Sequence, residues 1–593
     1  MPFQPPLYQY IPFSPTAEYP FRLLKLYPAA EKTSPLWCGL WHTALDQPPP
    51  EFDALSYVWG EPEPDTGNSN VFLEVNSEWR RLPILSSLRA ALHRLRLPNE
   101  DRFTWVDALC INQVDTAEKS HQVPMMGKIY QSARSVVIWL GEEADDSDLA
   151  LSFIPRVTDL SQFDRIIQDQ SAIHEWYSLY KLLNRSWFSR KWVVQELAFA
   201  KQAEVYCGNG KVDWPLFADA ASLFGRRQQD IANLFWMSPE YAHDAEILGE
   251  VQALGALRLI NTLNRLFRCS DDGQILEGLV DLETLVTSLN IFETTEPRDC
   301  IYSVMSLAET TRNQISTVLK QQIPAESIFP NLLVDYDRPF YDVARGFVAS
   351  CIRSSNSLDI ICRPWSPFPN YYNSAFQSQI ISSWACSMDD SVFEIRGDGH
   401  CVRKRGETFV GAPGVPIYQA SKGFPLLPAI SDFGPPWSSE APGRLDSCLY
   451  LDIARFPRFE PVSHFYSPRL EVKGVRIGVC HVLGERAMEG TIPSGWFSMA
   501  NWQQRRAPVP EAFYRTLVAD RSTDRGNPPS WYKRAFEHAL VDSGTGDVRL
   551  QRMITQSKST VTTELLRRVQ SIIWNRRFVV TDRGKFGLVP ATA

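Results

Sequence analysis

Phe103–Ile111 reads FTWVDALCI, an apolar run broken by a single acid, Asp107. A near-continuous run of this kind predicts a strand buried on both faces, as in a parallel sheet. Moving outward, Ser135–Gly141 (SVVIWLG) is a second such run, and Phe52–Gly60 (FDALSYVWG) a strand of small and aromatic residues ending on glycine. Phe21–Pro28 (FRLLKLYP) predicts an earlier strand, and VFLEV and EWRRL around Asn76-Ser77 predict a hairpin. Between the strands, Leu85, Leu88, Leu92 and Leu95 mark an amphipathic helix. Asp115 can cap a helix running to about Ala133, with Glu118 completing a capping box and Pro124 kinking or shortening its first turn. Helical fragments follow at Leu149–Ile154 and His174–Leu183, and one helix over Trp187–Ala200. Alternation of strands and helices predicts an α/β domain with a mainly parallel central sheet.

The 593 residues are enough for two or three domains. Residues 1–20 read as a flexible, proline-rich tail, 21–213 as the α/β domain, and 214–355 as a helical region with an apolar stripe at Ile247, Val251, Leu254, Leu257 and Ile260. Residues 356–593 carry short alternating segments among Gly and Pro, a mixed β-rich region with a helical insert at 510–569. A net charge of -8 argues against nucleic acid or an anionic membrane as a partner. The eleven cysteines are scattered, with no CxxC pair, which predicts reduced thiols in a cytoplasmic protein and no zinc ribbon. No run approaches a membrane span, and the N-terminus lacks the pattern of a signal peptide. P-loop, HExxH and GxSxG motifs are missing, and the nine histidines are isolated, so no metal or resident cofactor is expected.

ALSYVWG (Ala54–Gly60), WVDALCINQ (Trp105–Gln113) and RKWVVQE (Arg190–Glu196) follow one another in that order, with RLLKLYP, the MGKIY helix and VVIWLG between or before them. Together these strings closely resemble the fungal heterokaryon incompatibility (HET) domain over roughly residues 20–210. A weaker likeness continues through EPRDCIYSVMSLA, YDRPFYDVA, FYRTLVADR and RRFVVTDRGKFGLVP, a tail that looks cut short after GLVP. HET domains in turn resemble Toll/interleukin receptor (TIR) domains, some of which hydrolyse NAD. The resemblance implies a TIR-like (flavodoxin-like) parallel sheet, followed by the helical and β-rich regions. It implies a protein of non-self recognition or programmed cell death, acting as a homo-oligomer or with a sensor or allelic partner protein. By the match, Trp192 and Glu196 take the places of the TIR tryptophan and catalytic glutamate, and NAD is the implied substrate. The chain departs from the TIR pattern at NQVDTAEKSHQ, which lacks a glycine, at Val193, which replaces a cysteine, and at Pro124.

On a helix Trp192 and Glu196 are one turn apart on one face. A carboxylate flanked by aromatics is partly desolvated, which raises its pKa. Such a group can stabilise an oxocarbenium-like state or accept a nucleophile's proton. The ordinary alternative is a solvated glutamate, or one paired with Arg190 or Lys191. Asp107, inside an apolar strand, needs a partner, and the ALSYVWG loop is the expected one, a supporting role. Asn112 and Gln113 would end that strand at its carboxyl edge, where open α/β sheets bind ligands, with Ser56, Tyr57, Trp59 and Gly60 lining the same edge. Two readings result: an NAD-hydrolysing enzyme using Glu196, and a non-catalytic adaptor that self-associates through the HET domain.

Overall fold

The computed structural model describes residues 5–14, 19–60, 69–239, 254–269, 275–278, 280–308, 333–355, 357–367, 479–523, 526–541, 543–557 and 559–590, with Tyr241, Thr311, Ala385 and short strands between 392 and 473. Ile247 and Val251 of the expected apolar stripe lie outside the described residues. The chain divides into two compact units, Met1–Val343 and Ala344–Ala593.

The first unit is built on a nine-stranded sheet of order β5-β4-β2-β1-β6-β3-β7-β8-β9. Its strands are β1 (Pro20–Leu26), β2 (Leu36–Ala44), β3 (Asp53–Tyr57), β4 (Asn70–Val75), β5 (Glu78–Pro83), β6 (Arg102–Trp105), β7 (Ser135–Trp139), β8 (Ala203–Cys207) and β9 (Gly210–Asp213). Helices α1 (Ser86–Leu95), α2 (Asp107–Cys110), α3 (Thr116–Gln122), α4 (Met126–Ser132), α5 (Ser147–Thr158), α6 (Leu160–Ile166), α7 (Ile173–Leu183), α8 (Trp192–Ala198) and α9 (Trp214–Arg226) connect or follow them.

The sheet is mixed, not mainly parallel. Parallel pairing runs through β6-β3-β7-β8 and joins β2 to β4. The pairs β1-β2, β1-β6, β4-β5 and β8-β9 are antiparallel. The reason is connection length: β1 to β2, β4 to β5 and β8 to β9 are hairpins, too short for the crossover a parallel pair needs. At the β4-β5 turn Asn76 and Ser77 both take positive φ, 51° and 65°, which matches the twist of a tight hairpin. Strand β2 escaped the sequence reading because its burial does not alternate cleanly, with Trp41 54% exposed in its outer half. Within the parallel core the chain order is second, first, third, fourth, so strand order reverses at β3. Every residue of β3 and β7 is buried, as expected of strands covered on both faces.

Two expected elements are shorter than the sequence implied. The run from Phe103 is a strand only to Trp105; Asp107 starts helix α2, whose Leu109 and Cys110 amides donate to the Val106 carbonyl. Asp107 therefore does not lie within a strand, and Asn112 and Gln113 follow a helical turn instead of ending one. The expected helix over Trp187–Ala200 is a 3₁₀ turn, Ser186–Ser189, then α8, with Arg190 between them bridged to Glu293. Pro124 splits the helix after Asp115 into α3 and α4 through a 3₁₀ turn. Asp115 does cap α3 by accepting from the Glu118 amide, but the Glu118 carboxylate does not return the bond as a capping box would. It accepts instead from the Asn112 amide and from Arg22.

Arg22 is fully buried, and its guanidinium is bidentate to Glu118 (2.6 and 3.0 Å) while donating to the Cys110 and Ile11 carbonyls. Phe13 stacks on it at 4.0 Å. Residues of the stretch read as a flexible tail are thus fastened to the domain: Tyr8 and Pro6 exchange backbone hydrogen bonds with Arg81, and Tyr10 donates to the Leu109 carbonyl.

In the second unit, Trp496, Phe497, Trp502, Phe513, Phe536, Leu565, Ile572 and Phe578 form one core. Helices Glu511–Leu517, Trp531–Leu540, Leu550–Gln556 and Thr560–Ile573 pack around it with the sheet Cys480–Arg486, Arg576–Thr581 and Phe586–Pro590. Among the described residues no helix is long and apolar enough to cross a membrane, and no group of three His, Cys, Asp or Glu could hold a metal ion.

A buried guanidinium left without its partner is costly, about 3–5 kcal/mol. Glu118→Ala should therefore lower unfolding stability by about that much, read from denaturant midpoints. Unfolding of the variant at the wild-type midpoint would show that Arg22 does not depend on Glu118.

Candidate functional site

Strand β3 delivers Ser56 and Tyr57 to the carboxyl edge of the sheet, where strand order reverses and open α/β sheets form a crevice. Helix α8 delivers Glu196 to the same place. Gly127 of α4 lets α8 approach: a Cβ there would sit 2.8 Å from the Phe199 ring.

Ser56 and Glu196 are 1% and 2% exposed, and the Ser56 hydroxyl donates to the Glu196 carboxylate. The Trp187 indole N–H donates to the same Ser56 oxygen at 2.8 Å. The Tyr130 hydroxyl lies within hydrogen-bond reach of the Leu55 carbonyl (3.3 Å) and the Glu196 carboxylate. Burial pushes the Glu196 carboxyl up to about 7, against the opposing pull of Arg190 and the Ser56 hydrogen bond. The glutamate is thus neither solvated nor ion-paired in the ordinary surface manner. Lys191 turns away to the Cys300 carbonyl, and Arg190 hydrogen-bonds the Tyr57 carbonyl.

A second carboxylate lies nearby. Asp107 accepts from the Trp59 indole at 3.2 and 3.0 Å and from the Ala108 amide at 2.8 Å. The Gln113 side chain donates to the Asp107 carbonyl, 2.9 Å, closing the α2 turn. Burial raises the Asp107 carboxyl as well, with Arg190 opposing. Both acids and Tyr57 sense the one Arg190 guanidinium. Gly60 follows Trp59 with φ of 86°, a left-handed turn that suits glycine.

The structure therefore brings together Ser56 with Glu196, and Trp59 with Asp107 and Gln113. It places one expected residue elsewhere: Trp192 spends its indole N–H on Asp299 (3.0 Å), while Asn112 is tied to α3 by its backbone amide, which donates to Glu118 (2.7 Å). Sequence reading missed Trp187 and Tyr130. Both sat in quoted or adjacent apolar strings, WF and MGKIY, where an aromatic looks like plain core, and only the fold aims their polar ends at Ser56 and Glu196.

Chemically, a buried carboxyl titrating near neutral pH, hydrogen-bonded to a hydroxyl that itself receives an N–H, can take or give a proton at the pH of a cell. Residues 52–196, from the residue before β3 to Glu196 itself, match the family model described as Heterokaryon incompatibility protein (HET). The chain carries a HET domain. Heterokaryon incompatibility protein 6, OR allele, of Neurospora crassa is 34% identical over 225 residues, covering 32% of this chain and 33% of that protein. The match thus spans about a third of that relative's length. No solved structure matches.

The Glu196 shift in the HET domain has a definite sign. Its folded value lies above the ordinary glutamate value of about 4.3, so the folded state holds a proton that the unfolded chain has released. That stability is present below about pH 4 and is lost as pH climbs through about 7, on the order of 3 kcal/mol in all. Glu196→Gln should flatten the stability profile between pH 5 and 7 relative to wild type, measured by chemical denaturation. Parallel profiles for the two proteins would mean that Glu196 is not desolvated.

Proposed function

We propose that this HET domain acts in heterokaryon incompatibility, in non-self recognition leading to cell death, and that it does so by hydrolysing NAD with Glu196 as the reacting carboxylate. The observation that carries this reading is the Ser56–Glu196 pair, buried at the edge where the parallel core β6-β3-β7-β8 reverses its order. That second-first-third-fourth order is the one used by flavodoxin-type sheets, which supports the TIR-like reading of the domain. The similarity to the Neurospora heterokaryon incompatibility protein supports the biological role.

Cleavage of the nicotinamide–ribose bond develops positive charge at the ribose anomeric carbon. Ionised Glu196 would stabilise that charge or take the proton of an attacking water, and a midpoint near 7 leaves both forms populated at neutral pH. Ser56 and Trp187 orient the carboxylate. Tyr57, Trp59 and Gly60 would flank the substrate on the same edge, and Asp107 keeps Trp59 in place. Because Ser56 and Glu196 are closed to solvent, reaction requires the Trp59–Gly60 loop to move while α8 keeps its place.

A second reading is an adaptor whose Glu196 is a structural brace, and the near-complete closure of the Ser56–Glu196 pair favours it. The two part in one experiment. Full-length protein at high concentration, incubated with NAD, should release nicotinamide, and Glu196→Gln should abolish release while folding persists. Equal release by wild type and the folded variant would refute the assignment of Glu196, and no release by either would favour the adaptor.

A further inference from the structure

Helix α8 is held from two sides. On one side Glu196 meets Ser56 of β3 and Tyr130 of α4. The other side meets residues beyond the HET match. Lys191 donates through its amide to the Glu293 carbonyl (3.0 Å) and through Nζ to the Cys300 carbonyl (2.8 Å), and the Glu293 amide donates to the Ser189 carbonyl (2.7 Å). Ser306 donates to the Gln195 side chain at 2.6 Å. Gly255 lies so near the Ser186–Ser189 turn that a Cβ would stand 2.6 Å from the Phe188 carbonyl oxygen.

Asp299, within EPRDCIY, is the centre of this contact. It is 8% exposed, and one carboxylate oxygen accepts from the Trp192 indole (3.0 Å) while the other accepts from the Tyr336 hydroxyl (2.7 Å). The Tyr336 amide in turn donates to Ser120 of α3 (2.8 Å), and Lys119 sits 4.1 Å over the Tyr336 ring. A closed chain thus runs from α3 through Tyr336, Asp299 and Trp192 to α8, the helix that bears Glu196. A seven-residue helix has little stability of its own, so its place is set by such tertiary contacts.

We propose that Asp299 is a positioning residue for Glu196: by fixing Trp192 at the start of α8, it holds Glu196, one helical turn further on, against Ser56. For turnover the proposal rests on the reading of Glu196 as the reacting carboxylate; for geometry it stands by itself. The charged and titratable groups facing Glu196 are Arg190, Asp107, Tyr130 and Tyr57; those facing Asp299 are Tyr336, Lys119 and Glu296. Asp299 acts on the first set only through α8.

The test follows the protonated carboxyl band of Glu196 by infrared spectroscopy, isolated by subtracting the Glu196→Gln spectrum, in full-length protein across pH. Wild type should titrate near 7. Asp299→Ala should lower that midpoint by about one unit or more, because a loosened α8 lets water reach the carboxyl. Asp299→Asn keeps an acceptor for Trp192 and should titrate like wild type. Trp192→Phe, which removes the same hydrogen bond from the other side, should shift the midpoint as Asp299→Ala does, and it decides the matter if Asp299→Ala does not fold. With NAD, Asp299→Ala should lower kcat roughly ten- to hundredfold, with the acid limb of the pH profile moving by the same shift. An unmoved Glu196 midpoint in folded Asp299→Ala or Trp192→Phe overturns the proposal. If wild type releases no nicotinamide, the catalytic reading falls while the titration still decides the role of Asp299.

Discussion

The hydrogen bond from Ser56 to Glu196 joins the end of a buried parallel strand to a short helix 140 residues away, and it does so out of water. A carboxyl group in that position is tolerable only if hydrogen-bonded and partly neutral, and both conditions are met here: Ser56 and Tyr130 supply hydroxyls, and burial raises the carboxyl to about 7. The demand spreads outward. Ser56 is fixed by Trp187, Tyr57 by Arg190, and Arg190 balances both Glu196 and Asp107. Asp107 holds Trp59, whose loop closes the same edge.

Two further contacts show how far the constraint reaches. Arg22 of β1 ties the loop after α2 to α3 through Glu118, and the segment around Tyr10 and Phe13 covers it. On the far side of α8, Asp299 and Tyr336 tie the helix back to α3. The elements around the site are thus fixed by segments on both sides of the span that matches the HET family, residues 52–196. A compact unit reaching Val343 is the structural expression of that dependence.

Much of this was legible in the chain. The strands around Leu23, Leu55 and Val137, the helix of Leu88 and Leu92, and the Asn76-Ser77 hairpin all follow from periodicity and turn chemistry. What periodicity could not give was direction. An apolar strand looks the same whether its neighbour runs parallel or antiparallel, so the mixed sheet and β2 stayed hidden. In the run from Phe103, periodicity makes Asp107 an interruption inside a strand, whereas its carboxylate, paired with Trp59, marks the start of a helical turn. At the site, Glu196 follows from the resemblance and Ser56 from its place at the carboxyl edge of a strand, but their contact is not readable, since it is made between elements 140 residues apart. Trp187 and Tyr130 were invisible for the same reason, and Trp192, expected beside Glu196 in function, turned out to be committed to Asp299.

The most direct measurement is made in a living fungal host. Induced expression of the full chain, with cell survival and the NAD pool followed together, is compared with Glu196→Gln at equal levels of folded protein. Wild type should deplete NAD and kill the cells, and the variant should do neither. Killing by Glu196→Gln at the wild-type rate, with NAD intact, would contradict the account and leave Glu196 a structural brace.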